Sequence, residues 1–103
     1  MPPSRSAQFA ALVVQQPENE LFRFSLAQAL VSEGRPDAAV EHLIACAHKK
    51  PDWMMPRILL GKALLGLGRP AEARPWLEEA HQLALAQNHE DPANELQALL
   101  ADL

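Results

Sequence analysis

His42 and Cys46 stand four residues apart, so on a helix they would present an imidazole and a thiol to the same side, a spacing that can hold a metal. Two donors do not make a site. His48 lies six residues from His42 and points from another face, and no second pair stands elsewhere in the chain. Cys46 is better read as a small apolar residue in a packed position. His81 and His89 are eight apart with no carboxylate or cysteine at useful spacing, and are expected in solvent. Nucleophilic chemistry finds no better footing. Ser4, Ser6, Ser25 and Ser32 lack a surrounding glycine-rich elbow, and Gly66-Leu67-Gly68 has the form of a helix end rather than a phosphate loop. The acidic pairs Glu78-Glu79 and Glu90-Asp91 are adjacent in sequence, so on helices their carboxylates diverge into solvated faces. The residue types therefore predict a non-enzymatic protein with no metal and no cofactor.

Composition describes the scaffold that remains. The chain has 103 residues, 49% hydrophobic and 21% charged, enough for one domain with a modest core and too few for two. Ala and Leu dominate, Tyr is absent, and β-branched residues are sparse, which favours helices over sheets. A formal net charge of -4 argues against nucleic acid, because phosphate binding needs a basic stripe that releases counterions. The single cysteine cannot close an internal disulfide, so the expected home is the cytoplasm. The segment Met1-Pro2-Pro3-Ser4-Arg5-Ser6 leads into a short apolar stretch interrupted by Gln15-Gln16-Pro17, without a cleavage pattern. No signal peptide and no membrane span are expected.

The dominant signal is internal repetition. Offset by thirty-four residues, 17–50 align with 51–84 without a gap. Pro17 meets Pro51, Arg23 meets Arg57, Leu26 meets Leu60, Ala29-Leu30 meets Ala63-Leu64, Gly34-Arg35-Pro36 meets Gly68-Arg69-Pro70, Ala39 meets Ala73, and Leu43 meets Leu77. Each unit reads as helix, tight turn, helix. Leu21, Phe24, Leu26, Ala27, Leu30 and Val31 recur at helical spacing up to Gly34, whose tolerance of positive φ suits a helix end. Pro36 then suits the first position of the next helix, where a missing N–H costs little. That helix carries Ala39, Val40, Leu43, Ile44, Cys46 and Ala47 until Pro51, after which Asp52 is placed to cap its successor. In the second unit Leu85 replaces the terminating proline, so the last helix is expected to run on to about Asn88.

These residues resemble the tetratricopeptide repeat, whose pattern runs W-x2-L-G-x2-Y, then A-x3-F, then P. The counterparts are Arg23-x2-Leu26-Ala27-x2-Leu30, Ala39-x3-Leu43 and Pro51, followed by Arg57-x2-Leu60-Gly61-x2-Leu64 and Ala73-x3-Leu77. Small residues stand where helices of one pair must approach, while Arg and Leu replace the family's aromatic positions. The resemblance implies an all-α, right-handed α-solenoid of antiparallel helix pairs. Phe9, Leu12 and Val13 precede Pro17 as Leu43, Cys46 and Ala47 precede Pro51, which marks 5–16 as a leading helix. Asp91-Pro92 starts a further helix whose stripe is Leu96, Leu99, Leu100 and Leu103. The expected single domain, 1–103, thus has about six helices: a leading helix at 5–16, repeat 1 at 17–50, repeat 2 at 51–88, and a capping helix at 91–103.

In such stacks the first helix of each pair lines a concave face. By resemblance, the groove residues are Leu21, Phe24, Ser25, Gln28 and Ser32 from the first repeat, and Met55, Ile58, Leu59, Lys62 and Leu65 from the second. The lining is mostly apolar, with Gln28 and Lys62 as polar points, whereas family members that grip a carboxylate tail use basic and Asn-rich positions. The expected partner is therefore a peptide or helical segment of another protein, as for an adaptor or co-chaperone. Two other uses of the stripe are weighed. The last helix could fold over it and close it, or Trp53 and Met54-Met55 could serve a homodimer or a larger assembly. Arg23 and Arg57 are expected to cover apolar surface with their stems while the charge stays in water.

Overall fold

A computed structural model describes residues 4–103, so the first three residues of the expected domain and of the leading segment lie outside the described part. Six helices follow one another: α1 (Arg5–Gln15), α2 (Glu20–Ser32), α3 (Pro36–Lys49), α4 (Met54–Gly66), α5 (Pro70–Ala86) and α6 (Glu90–Ala101). No strand occurs among the described residues. Each helix packs mainly on its chain neighbours, and α2 also touches α4 across the stack. The molecule is elongated, 43 × 27 × 20 Å, as expected when layers are added along one axis. This is an all-α, tetratricopeptide-like solenoid.

The turns show why the helices stop where they do. Gly34 and Gly68 adopt φ of +77° and +74°, and beyond them Arg35 and Arg69 donate their N–H groups back to Leu30 and Leu64 at 2.8 and 2.9 Å. This six-to-one bond satisfies carbonyls that a helix end leaves open, and glycine enters the left-handed region without a Cβ clash. Pro36 and Pro70 open the following helices. The helix without a terminating proline ends by the same device: Asn88 takes φ +59° and His89 donates to Ala84 at 2.8 Å. Asparagine is among the few side chains that tolerate this conformation. Asp52 does not cap α4, whose N-cap is Trp53 with no side-chain bond, whereas Asn19 caps α2 by accepting from Leu21 and Phe22.

Helix pairs interlock through small residues. Ala27, Ala39 and Ala73 are fully buried, as are Leu43 and Leu77. A Cβ built on Gly61 would fall inside the Leu77 side chain, so α4 and α5 approach to a distance that only glycine permits. The ends of the stack are tied by separate means. At α1, Ser6 donates its backbone N–H and its hydroxyl to the Glu33 carboxylate at 3.0 and 2.7 Å, which fixes α1 to the end of α2. These bonds hold the Glu33 carboxyl below its usual range, with the Ser6 hydroxyl the larger cause. At the other end α6 packs on α5 with Leu96 fully buried. Pro56, Leu60 and Leu64 of α4 recur as Pro92, Leu96 and Leu100, thirty-six residues on, so α6 is built as the first helix of a further repeat, two residues late.

The two helical glycines of α4 separate packing from chain entropy. Gly61→Ala is expected to lower stability by about 1–3 kcal/mol through overpacking against Leu77. Gly66→Ala meets nothing within 4 Å and is expected to raise stability by about 0.4–1 kcal/mol by restricting the unfolded chain. Urea titrations of the two variants beside the parent check both signs.

Candidate partner-binding groove

Residues 21, 24, 25 and 28 share one face of α2, and 55, 58, 59 and 62 share the equivalent face of α4. Their burial divides them. Leu21 and Met55, which occupy the same repeat position, are 60% and 46% exposed. Gln28 and Lys62 are exposed, and Ser25 and Leu59 are half-buried. Ile58 is drawn into the core and leaves only 9% of its surface outside. Phe24 is half-buried against Trp53, with ring centroids 4.9 Å apart and planes tilted by 56°. That tilted contact adds to apolar burial and spans the joint between the two repeats. Trp53 and the buried Met54 are thus spent inside the molecule, and of that cluster only Met55 is presented outward.

Lys62 pairs with Glu95 of α6, a partner the sequence pattern did not reveal. Both side chains are about half exposed, so the pair contributes no more than about 1 kcal/mol. Its importance is positional. It shows that the face of α6 carrying Glu95 looks toward α4. Asp91 lies one turn earlier on that same face, and Asn94 and Ala98 complete it. α6 itself packs on α5 and leaves Leu21 and Met55 exposed, so it continues the stack instead of closing over the stripe.

His42 and Cys46, one turn apart on α3, are bonded to separate partners. Arg23 donates to His42 Nδ1 at 3.4 Å, while the Cys46 thiol donates to the Glu20 carbonyl at 3.7 Å. Burial pushes the His42 imidazole below its ordinary pKa, and Arg23 adds to this. Among the described residues no group of three His, Cys, Asp or Glu side chains could hold a metal ion. Arg57 departs from expectation: its guanidinium is buried, not solvated. It donates to Glu79 at 3.1 Å, to the Trp53 carbonyl at 3.0 Å and to the Ala47 carbonyl at 3.4 Å, which satisfies a charge that burial would otherwise penalise. Arg57 also borders an open pocket of about 790 Å³, lined by Pro51, Pro75, Glu78, Glu79, His81, Gln82 and Leu83. None of the expected groove residues lines it. No described helix is long and apolar enough to cross a membrane.

Comparison with known proteins places this geometry. The tetratricopeptide repeat family model matches residues 21–43 and 54–79. A TPR repeat-containing protein of Pseudomonas aeruginosa is 36% identical over 74 residues, covering 72% of this chain and 69% of that one. The chain belongs to the tetratricopeptide repeat family. Solved structures agree on the fold of this tetratricopeptide repeat protein. The type III secretion translocator chaperone SycD of Yersinia enterocolitica superposes with a TM-score of 0.82 at 20% identity, covering 95% of this chain and 74% of that one. PcrH, solved in complex with the chaperone binding region of PopD, gives 0.87 at 22% identity, with 94% and 74% covered. A Bordetella parapertussis protein solved in solution gives 0.81 at 29% identity, with 98% and 88% covered.

The buried thiol offers a direct check on this packing. Burial lifts the Cys46 pKa to about 11 from 9.0, so near pH 8 its thiolate fraction falls by roughly a hundredfold. Native protein is expected to react with a disulfide reagent at least that much more slowly than protein in denaturing urea. Comparable rates in the two states would contradict the placement of Cys46.

Proposed function

We propose that this tetratricopeptide repeat protein holds an apolar peptide or helical segment of a partner protein against the face formed by α2 and α4. The carrying observation is the pair Leu21 and Met55: two large apolar side chains at one repeat position, exposed on successive helices. A folded chain buries such residues where its own core can use them, and here the neighbouring positions are so used while these two are not. Phe24, Ile58 and Leu59 supply the apolar floor behind them, and Ser25, Gln28 and Lys62 supply polar contacts along the edge. Backbone groups on this face are already bonded within their helices, so recognition works through side-chain pockets, as in groove binding of an amphipathic segment. A stack of the same fold is known in complex with a partner's segment, the chaperone binding region of PopD on PcrH. The function is a protein-interaction module, adaptor or co-chaperone in kind, with the six helices acting as one unit.

A second reading, a homo-oligomerising or structural module, draws on Val14, which is 82% exposed near the end of α1. It predicts concentration-dependent sedimentation.

Leu21→Asp combined with Met55→Asp tests the first reading. Both sites are exposed, so stability should change by no more than about 0.5 kcal/mol and the helical circular dichroism should persist. Partner binding, measured by calorimetry against a partner captured from the source cell, is expected to weaken by at least about tenfold. Unchanged affinity would remove the groove from consideration.

A further inference from the structure

We infer that the segment held by this groove carries, beside its apolar anchors, an arginine or lysine at the end that meets α6. The inference rests on the groove reading above. Its basis is how chemistry changes along the stack at equivalent positions. Leu21 on α2 and Met55 on α4 are followed on α6 by Asp91, Phe24 and Ile58 by Asn94, and Ser25 and Leu59 by Glu95. The register of α6 is fixed by Leu96 and Leu100 standing for Leu60 and Leu64, and it is confirmed by the contact of Glu95 with Lys62. The apolar face of the first two layers therefore gives way to an acidic third layer.

Charge balance gives the sign of the missing group. Along α4, and along α6 as far as Ala98, the charged side chains at these face positions are Lys62, Asp91 and Glu95. Lys62 is engaged by Glu95, and Arg57, the next cation of α4, is turned inward onto Glu79. Among the described residues no ion pair reaches Asp91. Asp91 and Glu95 stand four apart on α6, so a guanidinium or ammonium arriving at the end of a bound segment can lie between two carboxylates. An acidic segment would meet two carboxylates there, with Lys62 already paired to Glu95. Discrimination by sign follows, together with attraction that weakens as salt screens it.

Selection of random peptides displayed on phage against the full chain tests this whatever the identity of the partner. Selected peptides are synthesised, and their binding is followed by fluorescence anisotropy on the parent, on Leu21→Asp/Met55→Asp and on Asp91→Asn. Asp91→Asn removes one carboxylate and leaves Lys62 paired to Glu95. Expected are peptides with aliphatic or aromatic anchors and Arg or Lys enriched toward one end. These should lose at least about tenfold on the double variant and about two- to fivefold on Asp91→Asn, with the second loss vanishing at high salt. Peptides that need Leu21 and Met55 yet show no basic enrichment, an acidic enrichment, or no response to Asp91→Asn overturn this inference and leave the groove standing. If no peptide depends on Leu21 and Met55, the groove and the inference fall together.

Discussion

Everything in this stack depends on how closely two helices of a pair can approach, and that distance is set by single small residues. Gly61 lets Leu77 sit where a Cβ would otherwise be. Ala27, at the same repeat position in α2, is fully buried, as is Leu43, the counterpart of Leu77. With the pairs drawn tight, the second helices bury one row of small residues completely: Ala39, Cys46 and Ala47 in α3, and Ala73, Ala80 and Ala84 in α5. Close packing of this kind tolerates neither voids nor extra methyl groups, so the geometry of each pair is nearly rigid. Rigid pairs related by a constant step are what place Leu21 and Met55 at matching points on one face.

The joints between pairs are held by a different chemistry. Arg57 reaches from α4 to the Ala47 carbonyl in α3, the Trp53 carbonyl before α4 and the Glu79 carboxylate in α5, and so ties three consecutive elements with one side chain. A buried guanidinium is tolerable because its fork of donors is matched to acceptors on several sides. Arg23 occupies the same position one repeat earlier but its guanidinium hydrogen-bonds His42 in place of a carboxylate, because Ala45 stands where Glu79 stands in the second unit. The repeats are equal in backbone and unequal in the strength of their joints. Phe24 against Trp53 supplies at the first joint, through aromatic contact, part of what Arg57 supplies at the second through hydrogen bonds.

Much of this architecture was legible in the sequence because it is written in residues with one structural meaning. Gly34 and Gly68 announce positive φ, Pro36 and Pro70 announce helix starts, and the repeat of Leu26 and Leu60 announces a buried face. The less legible parts rest on residues with several possible roles. Asn88 ends α5 as a glycine would, but asparagine is common in many settings. Trp53 rather than Asp52 precedes α4, since the chain enters the helix one residue later than the cap pattern implies. Arginine at 57 read as an amphipathic surface residue, because nothing local shows that Ala47, Trp53 and Glu79 converge on it. The groove was half legible: periodicity grouped its residues on one face, while their separation into exposed Leu21 and Met55 and buried Ile58 depends on neighbouring helices.

The change in chemistry along this face follows from the irregularity that sets α6 out of step with the repeat. Pro17 and Pro51 end their helices early and keep the period at thirty-four, but α5 runs to Ala86 and turns through Asn88, which delays α6 by two residues. On an α-helix two residues amount to about 200° of rotation, enough to move a residue from one face to its opposite. Without the delay, position 89 would fall where Met55 falls and position 92 where Ile58 falls, presenting a histidine and a proline to the groove. With it, Leu96 turns to the core and Asp91 and Glu95 turn to the face shared with Lys62. The stripe that is apolar on α2 and α4 is therefore acidic on α6, because the missing proline sets that helix two residues late.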